Sequence, residues 1–91
     1  MNVTISVPDY SPETGLVCEF EDEYRIRVEV QEDRSVCIRA DKGGLISLAR
    51  LLLTMSSDLV PDGAHMHLDP YSALEDGSRE IIIAKDYSDA R

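Results

Sequence analysis

The segment His65-Met66-His67-Leu68-Asp69 holds the densest set of chemically versatile side chains in the sequence. Side chains of an extended strand alternate, so His65, His67 and Asp69 share one face while Met66 and Leu68 point to the other. Same-face neighbours lie about 7 Å apart, a coarse but usable spacing for metal ligands. His-x-His-x-Asp sequences occur in metallo-hydrolases, which draw further His and Asp ligands from distant loops, but this chain has two histidines in all. Three readings follow. One is a catalytic metal centre. The second is a structural or adventitious zinc site helped by Glu80. The third, which the sequence favours, is a polar strand face hydrogen-bonded to the 70–78 loop. No cofactor is expected.

A second feature is acidic. Glu19-Phe20-Glu21-Asp22-Glu23, with Glu13, places five acids and no base between positions 13 and 23. Such a run is either a solvated tip or a decoy for a cationic surface, because desolvated carboxylates bind Arg and Lys strongly and selectively. It is not a calcium loop, since the alternating acids, central Gly and terminal Glu are missing. No serine sits in a Gly-x-Ser-x-Gly elbow. Asp41-Lys42-Gly43-Gly44 lacks the spacing of a phosphate loop, and Asp41 would repel phosphate. No catalytic residue is assigned.

The elements that position these residues follow from periodicity. Residues 2–7 alternate, with Val3, Ile5 and Val7 on one side, and predict a strand stopped by Pro8. Two further strands are predicted at 16–20 and 24–31. A three-residue loop, Glu21-Asp22-Glu23, puts Phe20 opposite Tyr24, Cys18 opposite Ile26 and Glu19 opposite Arg25. A second loop, Glu32-Asp33-Arg34, sets Val30 against Val36 and Val28 against Ile38. It also sets Arg27 against Arg39, which must splay toward neighbouring glutamates. In this register Cys18 points inward and Cys37 outward, so the two cysteines cannot bridge.

Asp41 is the expected N-cap of a helix over 42–57, with a first turn weakened by Gly43 and Gly44. Leu45, Ile46, Leu48, Ala49, Leu52, Leu53 and Met55 form the expected buried stripe, and Ser47, Arg50, Thr54 and Ser57 the other side. Leu51 lies at the stripe's margin, as core or as partner surface. Strands at 64–68 and 79–85 complete the chain. Ile81-Ile82-Ile83 reads as a central strand or one covered on both faces, and 86–91 as a frayed tail. The expected fold is α+β: one domain over 1–91, with a single antiparallel sheet of about six strands (β-β-β-β-α-β-β) and one helix on one face.

Composition bounds the function. With 91 residues the chain is one domain's length. Nine basic against eighteen acidic residues give a net charge of −9. That field opposes nucleic acid and an anionic membrane surface and favours a cationic partner. There is no basic n-region with an apolar run behind it, so a cytoplasmic protein is expected.

The C-terminal half resembles the immunity protein 32 family of bacterial polymorphic toxin systems over about residues 44–85. The resemblance is carried by Gly44-Leu45-Ile46-Ser47-Leu48-Ala49-Arg50-Leu51-Leu52, by Pro61-Asp62-Gly63-Ala64-His65-Met66-His67-Leu68-Asp69 and by Leu74-Glu75-Asp76-Gly77-Ser78-Arg79-Glu80-Ile81-Ile82-Ile83. It implies a non-enzymatic inhibitor that binds a cognate toxin, with His65, His67 and Asp69 as the matching motif. The acidic residues Glu19, Glu21, Asp22 and Glu23 join them as candidate contacts to a basic toxin face. The alternatives are a small metal-binding regulatory or enzymatic domain built on His65, His67 and Asp69, or a homo-oligomeric module using Leu51 and the sheet's outer face.

Overall fold

The β-branched run Ile26-Arg27-Val28-Glu29-Val30 alternates apolar and charged residues and forms strand β1 (Ile26–Val30) of a computed structural model that describes residues 1–86. β1 pairs antiparallel with β2 (Val36–Ala40) in the register expected from the three-residue loop, with Val30 opposite Val36, Val28 opposite Ile38 and Arg27 opposite Arg39. The loop closes through Gln31 N–H to Ser35 O at 2.8 Å, with Arg34 at φ 72°. Asp33 Oδ1 accepts from Ser35 Oγ at 2.6 Å and Ser35 N–H at 2.9 Å. These bonds hold the Asp33 carboxyl below its usual range. The two arginines splay as anticipated: Glu29 lies 3.9 Å from Arg27 and 3.7 Å from Arg39, and Glu75 lies 3.7 Å from Arg27.

Helix α1 (Lys42–Ser56) follows at once, with Asp41 as its N-cap. The Asp41 Oδ1 atom accepts from Gly44 N–H at 2.8 Å and from Arg25 N–H at 3.0 Å, so one carboxylate starts the helix and ties it to β1. The helix turns a different face inward from the one its leucines suggest. Gly44, Ser47, Leu51, Thr54 and Met55 are buried, whereas Leu45, Leu52 and Leu53 are exposed. Leu51 is therefore core, the favoured reading of its marginal place, and not a partner surface. The reason is that the small hydroxyl residues are satisfied in place: Ser47 Oγ accepts from Glu21 N–H at 2.9 Å and Thr54 Oγ1 donates to Arg50 O at 2.7 Å. Glycine at 43 and 44 also lets the helix approach β1 closely. A Cβ at Gly44 would strike the Arg25 carbonyl, and one at Gly43 the Glu23 carbonyl.

β3 (His65–Leu68) and β4 (Ile81–Ala84) form a second antiparallel pair, with Leu68 opposite Ile81 and His67 opposite Ile82. The expected single sheet of about six strands is thus two sheets of two strands each beside one helix. Residues 2–7 and 16–20 join no ladder; an isolated bridge between Ser11 and Gly15 is the sole pairing among the described residues of that region. The edge of β1 that 16–20 would have used is taken by residues 75–79: Glu75 N–H donates to Ile26 O and Arg79 N–H to Val28 O, both at 2.9 Å. The N-terminal segment is held on the helix instead. Arg50 donates from Nε to Ser6 O at 2.9 Å and from a terminal nitrogen to Glu19 O at 3.5 Å.

The Glu19–Arg25 cross-strand pair consequently does not form, and Arg25 lies 3.8 Å from Asp41. Phe20 and Tyr24 still meet, as stacked rings 4.8 Å apart. Nor is β4 covered on both faces: Ile81 and Ile83 pack on the core while Ile82 is exposed.

The core gathers Ile26, Val28, Leu51, Met55, Leu68, Ala73 and Leu74. Cys18 packs against it, and burial pushes its thiol above the usual range. Cys37 lies across from Glu29 on the other face, and both thiols are free. Val30, Val36 and Ile38, expected to face the core, lie beyond the helix and remain exposed. The predicted frayed tail falls, from residue 87 on, outside the described residues.

Candidate functional site

Strand alternation places His65 and His67 on the exposed face of β3, with Leu68 buried and Met66 half-buried behind them, as the sequence required. The two imidazoles meet edge-on, 5.3 Å apart. His67 Nδ1 lies 3.3 Å from Glu80 Oε2, and His65 Nδ1 lies 3.3 Å from Gly63 O. Glu80 thus reaches the pair, from the residue just before β4.

Asp69 does not join them. β3 ends at Leu68, and the Asp69 carboxylate turns into the following loop. Its Oδ1 accepts from Tyr71 N–H at 2.9 Å and Ser72 Oγ at 3.1 Å. Its carbonyl accepts from the amides of Ser72, Ala73 and Leu74 at 3.0–3.1 Å. Aspartate is suited to this because its side chain mimics a backbone turn. The turn then delivers Ala73 and Leu74 to the core. Among the described residues no three His, Cys, Asp or Glu side chains come together as a set that could hold a metal ion. The motif therefore divides into a histidine–glutamate surface and a turn-forming aspartate; of the three residues only Asp69 bonds the 70–78 loop.

The acidic segment divides as well. Glu21 accepts from Arg50 at 2.8 Å, and the Arg50 side chain is only 13% exposed. With the bonds from Arg50 to Ser6 and Glu19 and from Glu21 N–H to Ser47, this makes Glu21 an anchor of the N-terminal segment. Glu19, Asp22 and Glu23 are exposed and make no ion pair among the described residues. No hydrogen bond or ion pair joins this group to the histidine face among the described residues.

Sequence reasoning assigned Arg50 and Ser47 to solvent and so missed the anchor. Its signal was the spacing of Ser47, Arg50 and Thr54, three or four residues apart on one helical side. On the outer face of the β1–β2 hairpin, Arg25, Arg27, Arg39, Ala40, Asp41 and Glu75 line an open cleft of about 320 Å³. Each of its arginines is matched by a nearby carboxylate.

The sequence model of a family described as immunity protein 32 matches residues 35–86, more than half of the chain. The chain belongs to the immunity protein 32 family. No curated protein and no solved structure gives a significant match. The immunity protein 32 match takes in β2, α1, β3 and β4, including the histidine face and Asp69. It leaves outside it β1 and the acidic residues Glu19, Glu21, Asp22 and Glu23. Among the described residues no helix is long and apolar enough to cross a membrane.

Proposed function

We propose that this chain neutralises a cognate bacterial toxin by covering it, with the exposed carboxylates Glu19, Asp22 and Glu23 drawing in a basic face of that toxin. The observation that carries the reading is membership of the immunity protein 32 family. The charge chemistry agrees with it. A net charge of −9 with three neighbouring unpaired acids attracts a cationic surface and steers its approach. If the toxin is a nuclease, the face it offers to nucleic acid is the face an acidic inhibitor competes for. The protein acts in the cytoplasm by occupancy, without turning over a substrate. His65, His67 and Glu80 supply a second polar surface for contact.

Co-expression with the toxin encoded beside this chain tests the reading. Rescue of growth and a purified complex are expected. The triple variant Glu19→Lys, Asp22→Lys, Glu23→Lys is expected to slow association roughly tenfold or more at low salt, with the difference shrinking as salt rises. Absence of both rescue and complex would sink the immunity role. An unchanged association rate in the triple variant would sink the acidic face while leaving the role standing.

A further inference from the structure

Among the described residues, the chain covers one edge of the β1–β2 hairpin and leaves the other open. Gln31 N–H donates to Ser35 O at 2.8 Å and Asp41 N–H to Arg25 O at 3.2 Å. Hydrogen-bonded and non-hydrogen-bonded pairs alternate along an antiparallel ladder. Arg27–Arg39 and Glu29–Cys37 therefore carry the ladder bonds, and the peptide groups of Ile26, Val28, Val36 and Ile38 point away from the partner strand. On β1 those groups are engaged: Ile26 O and Val28 O accept from residues 75 and 79, and Val28 N–H donates to Ser78 Oγ at 3.2 Å. On β2, among the described residues, nothing pairs with the outward peptide groups of Val36 and Ile38.

The side chains along this edge are unguarded too. Val36 is 59% exposed, Ile38 48% and Val30 50%, at the uncovered margin of the face whose Ile26 and Val28 are buried in the core. Arg39, the one charged residue of β2, is 68% exposed on the opposite face. The strand has no proline or lysine to discourage pairing. Such an edge accepts an extended segment as an added strand. Main-chain bonds then give affinity, and alternate side chains give specificity.

We propose that an extended segment of the toxin adds to β2 as a third strand, with apolar side chains against Val36 and Ile38 and a carboxylate across from Arg39. This deepens the immunity reading and rests on it. A second copy of the chain fits the edge less well. A second copy carries the same net charge of −9, which opposes self-association. A toxin strand with apolar residues opposite Val36 and Ile38 and a carboxylate opposite Arg39 meets no such repulsion. In the other sheet, β4 exposes a single large apolar side chain, Ile82.

The test measures amide exchange in the complex of the full chain with the toxin encoded beside it, together with Kd for Ile38→Lys, Val36→Lys and Arg39→Glu. Leu45→Glu and Leu52→Glu on the exposed helix face are the controls. Binding is expected to protect the Val36 and Ile38 amides at least about tenfold. Ile38→Lys and Val36→Lys are expected to weaken binding roughly tenfold or more, with the controls near wild type. Thermal melts check that the variants fold. If Ile38→Lys does not, Arg39→Glu, Val36→Lys and the wild-type exchange data decide. A complex that forms with these amides unprotected, or that responds to the controls and not to the β2 variants, overturns this docking mode and leaves the immunity role intact. Failure to form any complex overturns both. A concentration-dependent dimer abolished by Ile38→Lys gives the edge to a second copy and overturns the toxin strand.

Discussion

Replacing Gly44 with alanine reverses the usual sign of a helix substitution. In an exposed helix, alanine is better than glycine by about 1 kcal/mol. At Gly44 the added methyl group strikes the Arg25 carbonyl oxygen and comes within 2.9 Å of Ala40 Cβ and 3.0 Å of Ile26 Cγ1. Main chain cannot step aside as a flexible side chain can. That same carbonyl accepts from Asp41 N–H at 3.2 Å, and Asp41 caps the helix at Gly44, so withdrawing the helix disturbs both bonds. Overpacking of this kind costs about 1–3 kcal/mol, and a clash with fixed backbone belongs at the upper end. Subtracting the propensity gain leaves a net loss of roughly 1–2 kcal/mol. For a domain of this size that lowers Tm by roughly 5–15 °C. Urea titration is expected to give a lower midpoint at unchanged m. Ala49→Gly, on the exposed side of the same helix, is the companion variant and is expected to cost about 1 kcal/mol by propensity alone. A Gly44→Ala protein as stable as the parent, or more so, would refute the close approach of α1 to β1.

The remaining predictions concern the turn, the anchor and pH. Arg34→Gly relieves a left-handed residue at φ 72° in the β1–β2 loop and is expected to raise stability by about 1 kcal/mol in urea titration. Arg50→Met removes the charged partner of Glu21 and the donor to Ser6; a loss of roughly 2 kcal/mol is expected, with faster proteolysis within residues 1–21 than in the rest of the chain. Asp33 and Asp41 titrate below the usual carboxylate range in the folded chain, Asp33 chiefly through Ser35 and Asp41 through the amides of Arg25 and Gly44. Their stabilisation is present above about pH 3.9, the unfolded aspartate value, and is lost as pH falls through the lower folded values. Acid melts of Asp41→Asn are expected to show a weaker dependence on pH in that window than the parent.

Local signals carried the hairpin and the helix cap. Three loop residues and the alternation of Ile26, Val28, Val36 and Ile38 permit one register that keeps these side chains on one face, and β1 and β2 adopt it. Asp41 is one residue before a run without proline and caps it. The alternation of His65-Met66-His67-Leu68 likewise set which side of β3 is wet. What failed depended on distant partners. Residues 16–20 have a strand's pattern, but a pattern does not supply an edge, and the β1 edge went to residues 75–79. The face of α1 was misread because seven apolar residues outweigh Ser47 and Thr54 in any count, although both hydroxyls find acceptors or donors on burial. Asp69 was grouped with the histidines by spacing, while its own turn claimed it through short-range bonds that a periodicity argument does not weigh.

The charge of −9 does not act as one field spread over the surface. Under physiological salt a charge is felt over about 8 Å, so a partner senses neighbourhoods. On the hairpin's outer face Arg25, Arg27 and Arg39 are matched by Asp41, Glu75 and Glu29, and that face contributes little. Glu21 is matched by Arg50. Glu19, Asp22 and Glu23 lie close together in sequence without an ion pair among the described residues and lead into β1, and the Glu23 carbonyl lies against Gly43, three residues past the end of β2. The acids that would attract a cationic partner thus sit near the base of the hairpin whose far edge is open to a strand. Attraction over a distance and pairing at contact fall to different residues, so charge reversal at the acids should act on the association rate and substitution along β2 on the dissociation rate.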